Sequence, residues 1–318
     1  MEDGKPVMHT FFHRIDPEVT TKNTGMSDEA DNAMLAAWRQ AWEDAGWVTR
    51  VLTLDDAAKH VNFHYFNSTL REFQYGRKFR EYDVLCFLRW LALAMSDGGW
   101  ACDYDVFPLN PVNGGAKVLP NDGMFTAYEK IPRGAAVPSF VSATKEEYNR
   151  ISHELVKNAA THQGKEEFWT DFFSLIDLHI IDPDSYFIED AVIPGKYVLT
   201  GQHFTLEDCE RLTSGKMGVH FAHDAISNGV TREGETVHDR AKIGLNFLQM
   251  WKERCNDEPF TPAALLPPEP VIVTASEPSD TDTSEAGEQP PLEDVEQPPL
   301  EDIEQPPLED IEQPPLED

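Results

Sequence analysis

The sequence predicts one layered α/β domain over residues 1–255, followed by a disordered acidic tail over residues 256–318. Short apolar runs alternate with segments of helical periodicity through the first part, which is typical of a mainly parallel central sheet flanked by helices. With 40% apolar and 10% aromatic residues, the chain can bury a substantial core. The tail has a different composition, because it repeats a short proline-rich unit.

The first elements follow from apolar periodicity and helix caps. An apolar run at residues 7–12 predicts the first strand. Ser27 is a suitable N-cap for a helix whose apolar residues recur at helical spacing, and Gly46 ends that helix. A second strand is predicted at residues 48–54. The run at residues 79–95 is apolar nearly all round after its first turn, so it predicts a mostly buried helix.

The later elements continue the alternation. Gly98 and Gly99 break the long helix, and residues 100–106 are predicted as a central strand. Thr144 and Glu147 form a capping box for the next helix. The other predicted elements are strands at 124–128, 139–141 and 217–221, and helices at 144–160, at 168–178 (buried), after Thr205 (short) and at 236–252 (amphipathic).

Most of the negative charge lies in the tail. The net charge is −31, but residues 257–318 contain 19 Asp and Glu and no Lys or Arg, which leaves 38 acids against 26 bases and a net charge of −12 elsewhere. Four copies of an eight-residue unit begin at Gly287, Val295, Ile303 and Ile311. Paired prolines block regular structure, and two apolar residues per unit cannot offset the ordering entropy. The tail is either a duplicated spacer or a ligand for a polyproline-reading module.

Composition also excludes several function classes. An acidic body predicts no general affinity for nucleic acid or anionic membranes. No apolar run reaches the roughly 20 residues that span a bilayer, and the start lacks the layout of a secretory signal. The four cysteines are scattered without a CxxC pair, so we expect reduced thiols in a cytoplasmic protein and no zinc site. The signatures of dinucleotide-binding dehydrogenases, P-loop NTPases, serine hydrolases and zincins are absent.

Asp103 and Asp105 are the first candidate site residues. Apolar residues flank both, so the pair is predicted on one face of a strand, where crowded carboxylates repel each other unless a cation or strong donors lie between them. Mg²⁺ and Mn²⁺ prefer such oxygen ligands and keep positions open for phosphate oxygens. The alternative is a strand end at which both acids simply face water, since Asp-x-Asp is common by chance.

Arg89 supports the first interpretation. It lies in an apolar helix, where an unpaired guanidinium would be costly. The Gly-Gly turn folds this helix back beside the strand, so Arg89 can approach the acids or an anion bound near them. Its planar fork suits phosphate oxygens or sugar hydroxyls. The alternative is a structural arginine that bonds a carbonyl group or one of the acids.

The segment from Arg89 to Asp105 resembles the sugar-binding region of the DXD glycosyltransferases. It contains Arg-Trp, an apolar helix, Gly-Gly, an aromatic residue and then Asp-Tyr-Asp. That group includes the initiating mannosyltransferases of yeast outer-chain synthesis and the large glucosylating bacterial toxins. The resemblance is strong over residues 79–108 and weaker over roughly residues 5–255, where residues 8–12 are similar to the family's opening strand.

The resemblance implies a nucleotide-diphospho-sugar transferase fold of the GT-A type, with Mn²⁺ or Mg²⁺, a UDP- or GDP-sugar donor and retention of anomeric configuration. It implies that Asp103 faces the sugar and the metal's water shell, and that Asp105 ligates the metal. Arg89 would contact the sugar, and Phe12 would pack on the nucleotide base with His9 nearby. The acceptor, a glycan, protein or lipid, is left open.

Two departures from the family pattern motivate an alternative. Where the family often has Asp three residues before the arginine, this chain has Cys86, and the interval from Arg89 to the acid pair is one residue longer. The alternative is a catalytically decayed transferase domain that acts as a binding or scaffold protein and presents the acidic tail.

Residues 218–224 hold the second candidate group. The resemblance implies a metal ligand from a late strand, and His220 matches it best, with His223 as the alternative; either histidine can equally be structural. Lys216 comes just before this predicted strand and could reach the diphosphate of a donor. The alternative, which we favour, is an ordinary surface lysine. Asp171 resembles a family position on the acceptor side, and it is equally explained as an acid favoured at a helix start.

Overall fold

The computed structural model of the protein describes residues 2, 4–15, 26–76, 81–109, 118–131, 135–195, 198, 209, 215–223, 226 and 235–255. The predicted tail over residues 256–318, with its four repeats, lies outside the described residues. So does the short helix predicted after Thr205. The domain boundary at residue 255 therefore stays a prediction.

The described part of the chain contains nine strands. They are β1 (Val7–Phe11), β2 (Val48–Leu52), β3 (Gly98–Cys102), β4 (Val106–Pro108), β5 (Thr126–Lys130), β6 (Ala136–Thr144), β7 (Phe187–Ile188), β8 (Val192–Pro194) and β9 (Gly218–His220).

The helices of the described residues alternate with these strands. They are α1 (Asp28–Asp44), α2 (Leu54–Ala57), α3 (Phe63–Glu72), α4 (Glu81–Met95), α5 (Lys145–Thr161), α6 (Asp171–Ile181) and α7 (Arg240–Cys255), with single 3-10 turns at Asn121–Gly123 and Val237–Asp239.

A six-stranded sheet forms the centre of the domain, in the order β2-β1-β3-β6-β5-β7. Strand β6 pairs antiparallel with β3 and β5, while the other neighbours are parallel. Five strands therefore share one direction and β6 opposes them. This confirms the predicted α/β class with a mainly parallel central sheet flanked by helices.

A second sheet of three short strands, in the order β4-β9-β8, stands beside the first. Strand β9 runs antiparallel to β4 and parallel to β8. Because β4 continues the chain just after β3, this small sheet lies next to the carboxyl end of β3. It brings a segment from far along the chain to the same place.

Helices cover both faces of the central sheet. Ala101 of β3 packs in a core with α3, α4, α5 and Leu175 of α6, while its neighbour Trp100 packs in another with Trp38 and Trp42 of α1. Successive residues of a strand point to opposite faces, so the two cores lie on the two sides of the sheet. A third core joins α1 to α7 and the small sheet.

The helix caps follow the sequence closely. The Ser27 hydroxyl accepts from the Ala30 amide at 3.2 Å and starts α1 as predicted. Thr144 likewise caps α5, accepting from the Glu147 amide at 3.3 Å. The second hydrogen bond of the predicted capping box, from the Thr144 amide to the Glu147 side chain, is replaced. The Glu147 carboxylate accepts from the Phe125 amide at 3.1 Å instead.

Several predicted elements need correction. Strand β2 ends at Leu52, because Thr53 and Asp56 form a capping box that starts α2. Helix α6 is buried at Asp171, Ser174 and Leu175 alone, so its apolar composition overstated its burial.

The expectation of four reduced thiols is wrong for two of them. Cys209 and Cys255 form a disulfide, with Cα atoms 5.4 Å apart, while Cys86 and Cys102 are free. The two cysteines are 46 residues apart in the sequence, so no CxxC motif predicts that they pair. The cytoplasmic location was predicted from the expectation of reduced thiols, which this disulfide no longer supports. The location therefore stays a prediction. Within the described ranges, no helix is long and apolar enough to cross a membrane.

Candidate functional site

A tight turn between β3 and β4 contains the two predicted acids. Asp103 and Asp105 lie in this turn, because the Val106 amide folds back to donate to the Asp103 carbonyl at 3.0 Å. The Asp103 amide donates to the Ser139 carbonyl of β6 at 2.7 Å, which fixes the start of the turn. The predicted strand over residues 100–106 is therefore wrong at its centre, although both acids still line one cavity.

Strand β9 brings His220 beside this turn. His220 pairs with Val106 across the small sheet, and the Phe221 amide donates to the Asp105 carbonyl at 2.9 Å. One carboxylate oxygen of each acid and one ring nitrogen of His220 lie within 4.8 Å of one another. Carboxylates and an imidazole at this spacing are a donor set that divalent cations bind. His223 lines the same cavity without being part of this group.

His220 is supported from behind by the buried carboxylate of Glu129 on β5. His220 Nδ1 lies 2.6 Å from Glu129 Oε2, and the Ser139 hydroxyl donates to the same oxygen. The other ring nitrogen, Nε2, lies 3.4 Å from Asp105 Oδ1. Burial alone would lower the pKa of His220, but Glu129 and Asp105 together raise it well above its ordinary value.

Asp105 is held by a second buried cation, Arg240 at the start of α7. The Arg240 side chain is only 1% exposed and donates to Asp105 Oδ2 and, at 2.9 Å, to the Phe221 carbonyl. Burial raises the pKa of Asp105, but His220 and Arg240 outweigh it and lower that pKa to about 2. Among the described residues, Asp105 Oδ1 is buried with no hydrogen-bond partner.

Arg89 of α4 joins Asp103 to Asp171. Its guanidinium lies 2.7 Å from Asp103 Oδ1 and 2.7 Å from Asp171 Oδ2, and it stacks 4.8 Å from the ring of Trp90. The Trp90 indole also donates to Asp171 at 3.0 Å. Burial raises the pKa of Asp103 to about 6, since the added repulsion from Asp105 offsets part of the attraction to Arg89. The cation and its two acids thus form one side of the site.

These groups surround a cavity of about 500 Å³. Small-molecule sites commonly fall in that size range, roughly 300–1,000 Å³. Phe12 lines the cavity and meets Tyr104 edge to face, with ring centroids 5.6 Å apart. Cys86 also lines it, on the α4 side with Arg89.

Two of the predicted site residues lie away from the acid pair. His9 of β1 does not line this cavity; its Nδ1 bonds the Trp100 carbonyl at 3.0 Å, and burial lowers its pKa. It lines a second cavity with Gly98 and Gly99. Lys216 pairs with Asp190, on the surface. The structure therefore groups Arg89, Asp103, Asp105, Phe12, His220 and His223 around one cavity, but neither His9 nor Lys216.

Glu129 and Arg240 are the two residues that the sequence did not single out. Glu129 looks like an ordinary polar residue of a half-exposed strand. Strand β5 is instead buried at four successive residues, 126–129, so it is covered on both faces and Glu129 is buried with its neighbours. Arg240 opens an amphipathic helix, where a surface arginine is the ordinary expectation. No sequence signal reveals that it points inward.

The donor set fits a divalent cation. Asp105 offers an oxygen without a hydrogen bond, Asp103 is partly exposed to the cavity, and His220 presents Nε2 on the same side. One atom of each residue already has a partner, since Asp103 Oδ1, Asp105 Oδ2 and His220 Nδ1 bond Arg89, Arg240 and Glu129. The second oxygen or nitrogen of each residue is the atom that a cation would bind.

Comparison with known sequences and structures gives one family and several similar folds. The sequence model of a family described as "Domain of unknown function (DUF8765)" matches residues 3–167. No match was found among curated proteins.

Among solved structures, the apo-form glycosyltransferase GlyE of Streptococcus pneumoniae TIGR4 has a TM-score of 0.41 and 11% identity, covering 78% of this chain and 63% of GlyE. A second GlyE structure gives 0.41 and 10% over the same shares, 78% and 63%. The galactosyltransferase LgtC, in complex with donor and acceptor sugar analogs, gives 0.38 and 9% over 77% of this chain and 99% of LgtC. The chain thus spans less than two thirds of the length of GlyE.

Proposed function

The chain belongs to the DUF8765 family, a family of unknown function, and we propose that it is a metal-dependent glycosyltransferase. It moves a sugar from a nucleoside-diphosphate sugar to a glycan, protein or lipid acceptor. The observation on which the proposal depends is the group Asp103, Asp105 and His220, whose ligand atoms lie within 4.8 Å of one another on a cavity that Arg89 also lines. The DXD-like sequence of this region and a GT-A type of fold belong to the same proposal.

Asp103, Asp105 and His220 would hold the cation, Mn²⁺ or Mg²⁺. Its positive charge would offset the negative charge of the nucleoside diphosphate as that group leaves. Arg240 occupies Asp105 Oδ2, so Asp105 presents only Oδ1 toward the cavity. That restriction makes Asp105 a one-oxygen ligand whose position is fixed before any substrate arrives.

The other side of the cavity positions the donor. Arg89 is fixed by Asp171 and Trp90, so its guanidinium is preorganised to bond sugar hydroxyls beside Asp103. Phe12 and Tyr104 offer an aromatic surface for the nucleotide base. Catalysis is then mostly positioning and electrostatics, because no side chain needs to form a covalent bond. Retention of anomeric configuration is part of the proposal, and residues 1–255 are expected to suffice for activity.

The test is release of nucleoside diphosphate from a panel of UDP- and GDP-sugars with and without Mn²⁺. Asp103→Asn is the main variant, because Asp103 is 35% exposed and its change is compatible with folding. It should abolish Mn²⁺-dependent turnover. Asp97→Asn is the matched control, since that carboxylate is 91% exposed and lies near Lys145 rather than in the cavity. Equal turnover in both variants and the unmodified protein would remove the assignment.

A second function, a decayed transferase that binds a partner, is motivated by Cys86. This thiol lines the cavity beside Arg89, where the resembling family often has a carboxylate. A binding protein without catalysis should show no thermal stabilisation by Mn²⁺ combined with UDP or GDP. An active transferase should be stabilised by the combination more than by either component alone.

A further inference from the structure

We infer that Glu129 is a positioning residue that makes His220 a metal ligand and gives the site a preference for Mn²⁺ over Mg²⁺. This inference rests on the proposed metal site. Glu129 does not face the cavity or reach substrate. It acts on the site through the imidazole that stands between it and Asp105.

The first step concerns the cost of burying Glu129. Its residue is 3% exposed, and an ionised carboxylate is expensive to bury without a cation. Among the described residues, no Lys or Arg is paired with it; its charged partner is His220, at 2.6 Å. A carboxylate retained under these conditions needs the imidazole as its counterpart. The same contact restrains the imidazole.

The second step concerns the orientation of the ring. Since Glu129 Oε2 accepts from His220 Nδ1, that nitrogen keeps its proton. Nε2, which is directed at Asp105 Oδ1, is then the nitrogen at which a bound cation would replace the ring's other proton. A carboxylate behind a ligating histidine fixes the tautomer and raises the basicity of the ligand. The same arrangement is present here, since the Glu129 carboxylate lies behind His220 and the acid pair lies in front of it.

The third step concerns the choice of ion. Mg²⁺ takes oxygen ligands almost exclusively, whereas an imidazole nitrogen suits transition-metal ions. With two carboxylates alone, the site would have little reason to distinguish Mn²⁺ from Mg²⁺. A basic nitrogen supported by Glu129 adds the distinguishing ligand. Loss of Glu129 should therefore weaken Mn²⁺ more than Mg²⁺.

A merely structural role makes a different prediction. Glu129 lies on the central sheet and His220 on the small sheet, so their contact also ties the two sheets together. If that were its only role, removing the charge would lower stability and leave the metal affinity of the folded protein unchanged. The two roles are separable by measuring both quantities on the same variants.

The experiment titrates Mn²⁺ alone into the full chain and follows the loss of the free-ion EPR signal, with Mg²⁺ as competitor. Glu129→Gln should weaken Mn²⁺ binding about 10–100-fold and leave the Mg²⁺ constant within a factor of about two. Glu147→Gln is the matched control, because Glu147 accepts from the Phe125 amide and pairs with Arg150 without lining the cavity. It should leave both affinities unchanged. Pulsed EPR should detect nitrogen coupling to Mn²⁺ in the unmodified protein and lose or alter it in Glu129→Gln.

The outcomes separate this inference from the proposed function. If Asp103→Asn weakens Mn²⁺ binding but Glu129→Gln binds it normally, or weakens both ions equally, the inference fails and the metal site stands. If the unmodified protein binds no Mn²⁺, the proposed function fails and the inference fails with it. Should Glu129→Gln not fold, Glu129→Asp keeps the charge but shortens its reach by one methylene, and the same selective loss is expected.

Discussion

Replacing Arg240 with methionine should destabilise the protein strongly, because Arg240 is a buried partner of Asp105 at the edge of the cavity. The substitution keeps a long apolar side chain but removes the guanidinium, which is 1% exposed and bonds Asp105 and the Phe221 carbonyl. Asp105 then remains buried with His220 as its remaining basic partner. Breaking a buried ion pair by removing one partner costs about 3–5 kcal/mol.

That range converts into a measurable shift of the melting temperature. A domain of this size moves by about 2–4 °C per kcal/mol, so Arg240→Met should melt about 6–20 °C below the unmodified protein. Thermal and urea unfolding at neutral pH measure the change. The matched control is Arg50→Met, since Arg50 is 54% exposed and pairs with Glu2 on the surface. A surface pair of this kind contributes about 1 kcal/mol or less.

The double variant Arg240→Met with Asp105→Asn tests the cause. If the loss of Arg240 as a partner of the buried Asp105 carboxylate is responsible, neutralising Asp105 should recover part of the lost stability, so that the two effects are not additive. Mn²⁺ should also stabilise Arg240→Met, because the ion replaces the missing charge next to Asp105. An Arg240→Met protein within about 1 kcal/mol of the unmodified one would refute the reasoning.

Three further changes test other parts of the structure. Arg89→Lys cannot keep both of the ion pairs that its guanidinium makes, so turnover of the sugar donor should fall by on the order of 10²-fold in the nucleoside diphosphate assay. His9→Gln tests a titration: burial lowers the pKa of His9 below 6.5, so the unfolded chain protonates first, and stability is full above pH 6.5 and declines as the pH falls below it. The variant should show a flatter dependence of the urea midpoint on pH, and an unchanged slope would contradict this. Gly98→Ala places a Cβ 2.6 Å from a backbone nitrogen at a φ of +78°, and should cost about 3 kcal/mol or more, whereas Gly164→Ala, with a φ of +71° and open space, should cost about 1 kcal/mol in the same urea titration.

Most strands of the central sheet and several helices beside it were predictable because each is a local pattern, whereas the two-residue strand β7 was not predicted. The apolar run of β1, the Ser27 cap of α1 and the apolar α4 each depend on residues within a few positions of one another. The acid pair was also visible, since its flanking residues are apolar. The predicted backbone conformation was wrong there, because apolar flanking residues are equally compatible with a strand and with a buried turn. The hydrogen bond from the Val106 amide to the Asp103 carbonyl shows that the segment is a turn.

The rest of the site depends on contacts that no local pattern contains. Glu129 meets His220 across 91 residues, and Arg240 meets Asp105 across 135. Both partners lie in the small sheet and its turns, whose strands are three residues long and carry almost no periodicity. Glu129 also lies in a strand that is buried on both faces over residues 126–129, so no alternation of polar and apolar residues shows which way it points.

The charged residues of the site come from two separate stretches of the chain, which the small sheet brings together. Residues 3–167, which the family match spans, supply Asp103, Asp105 and Glu129, three acids. The same stretch supplies Arg89, which pairs with Asp103, but His220 and Arg240, the basic groups that pair with Asp105 and Glu129, come from beyond residue 167. A protein shortened to the matched stretch would therefore leave Asp105 and Glu129 without their basic partners. Homologues that retain this acidic turn are expected to carry a late basic segment as well, however much its sequence has changed.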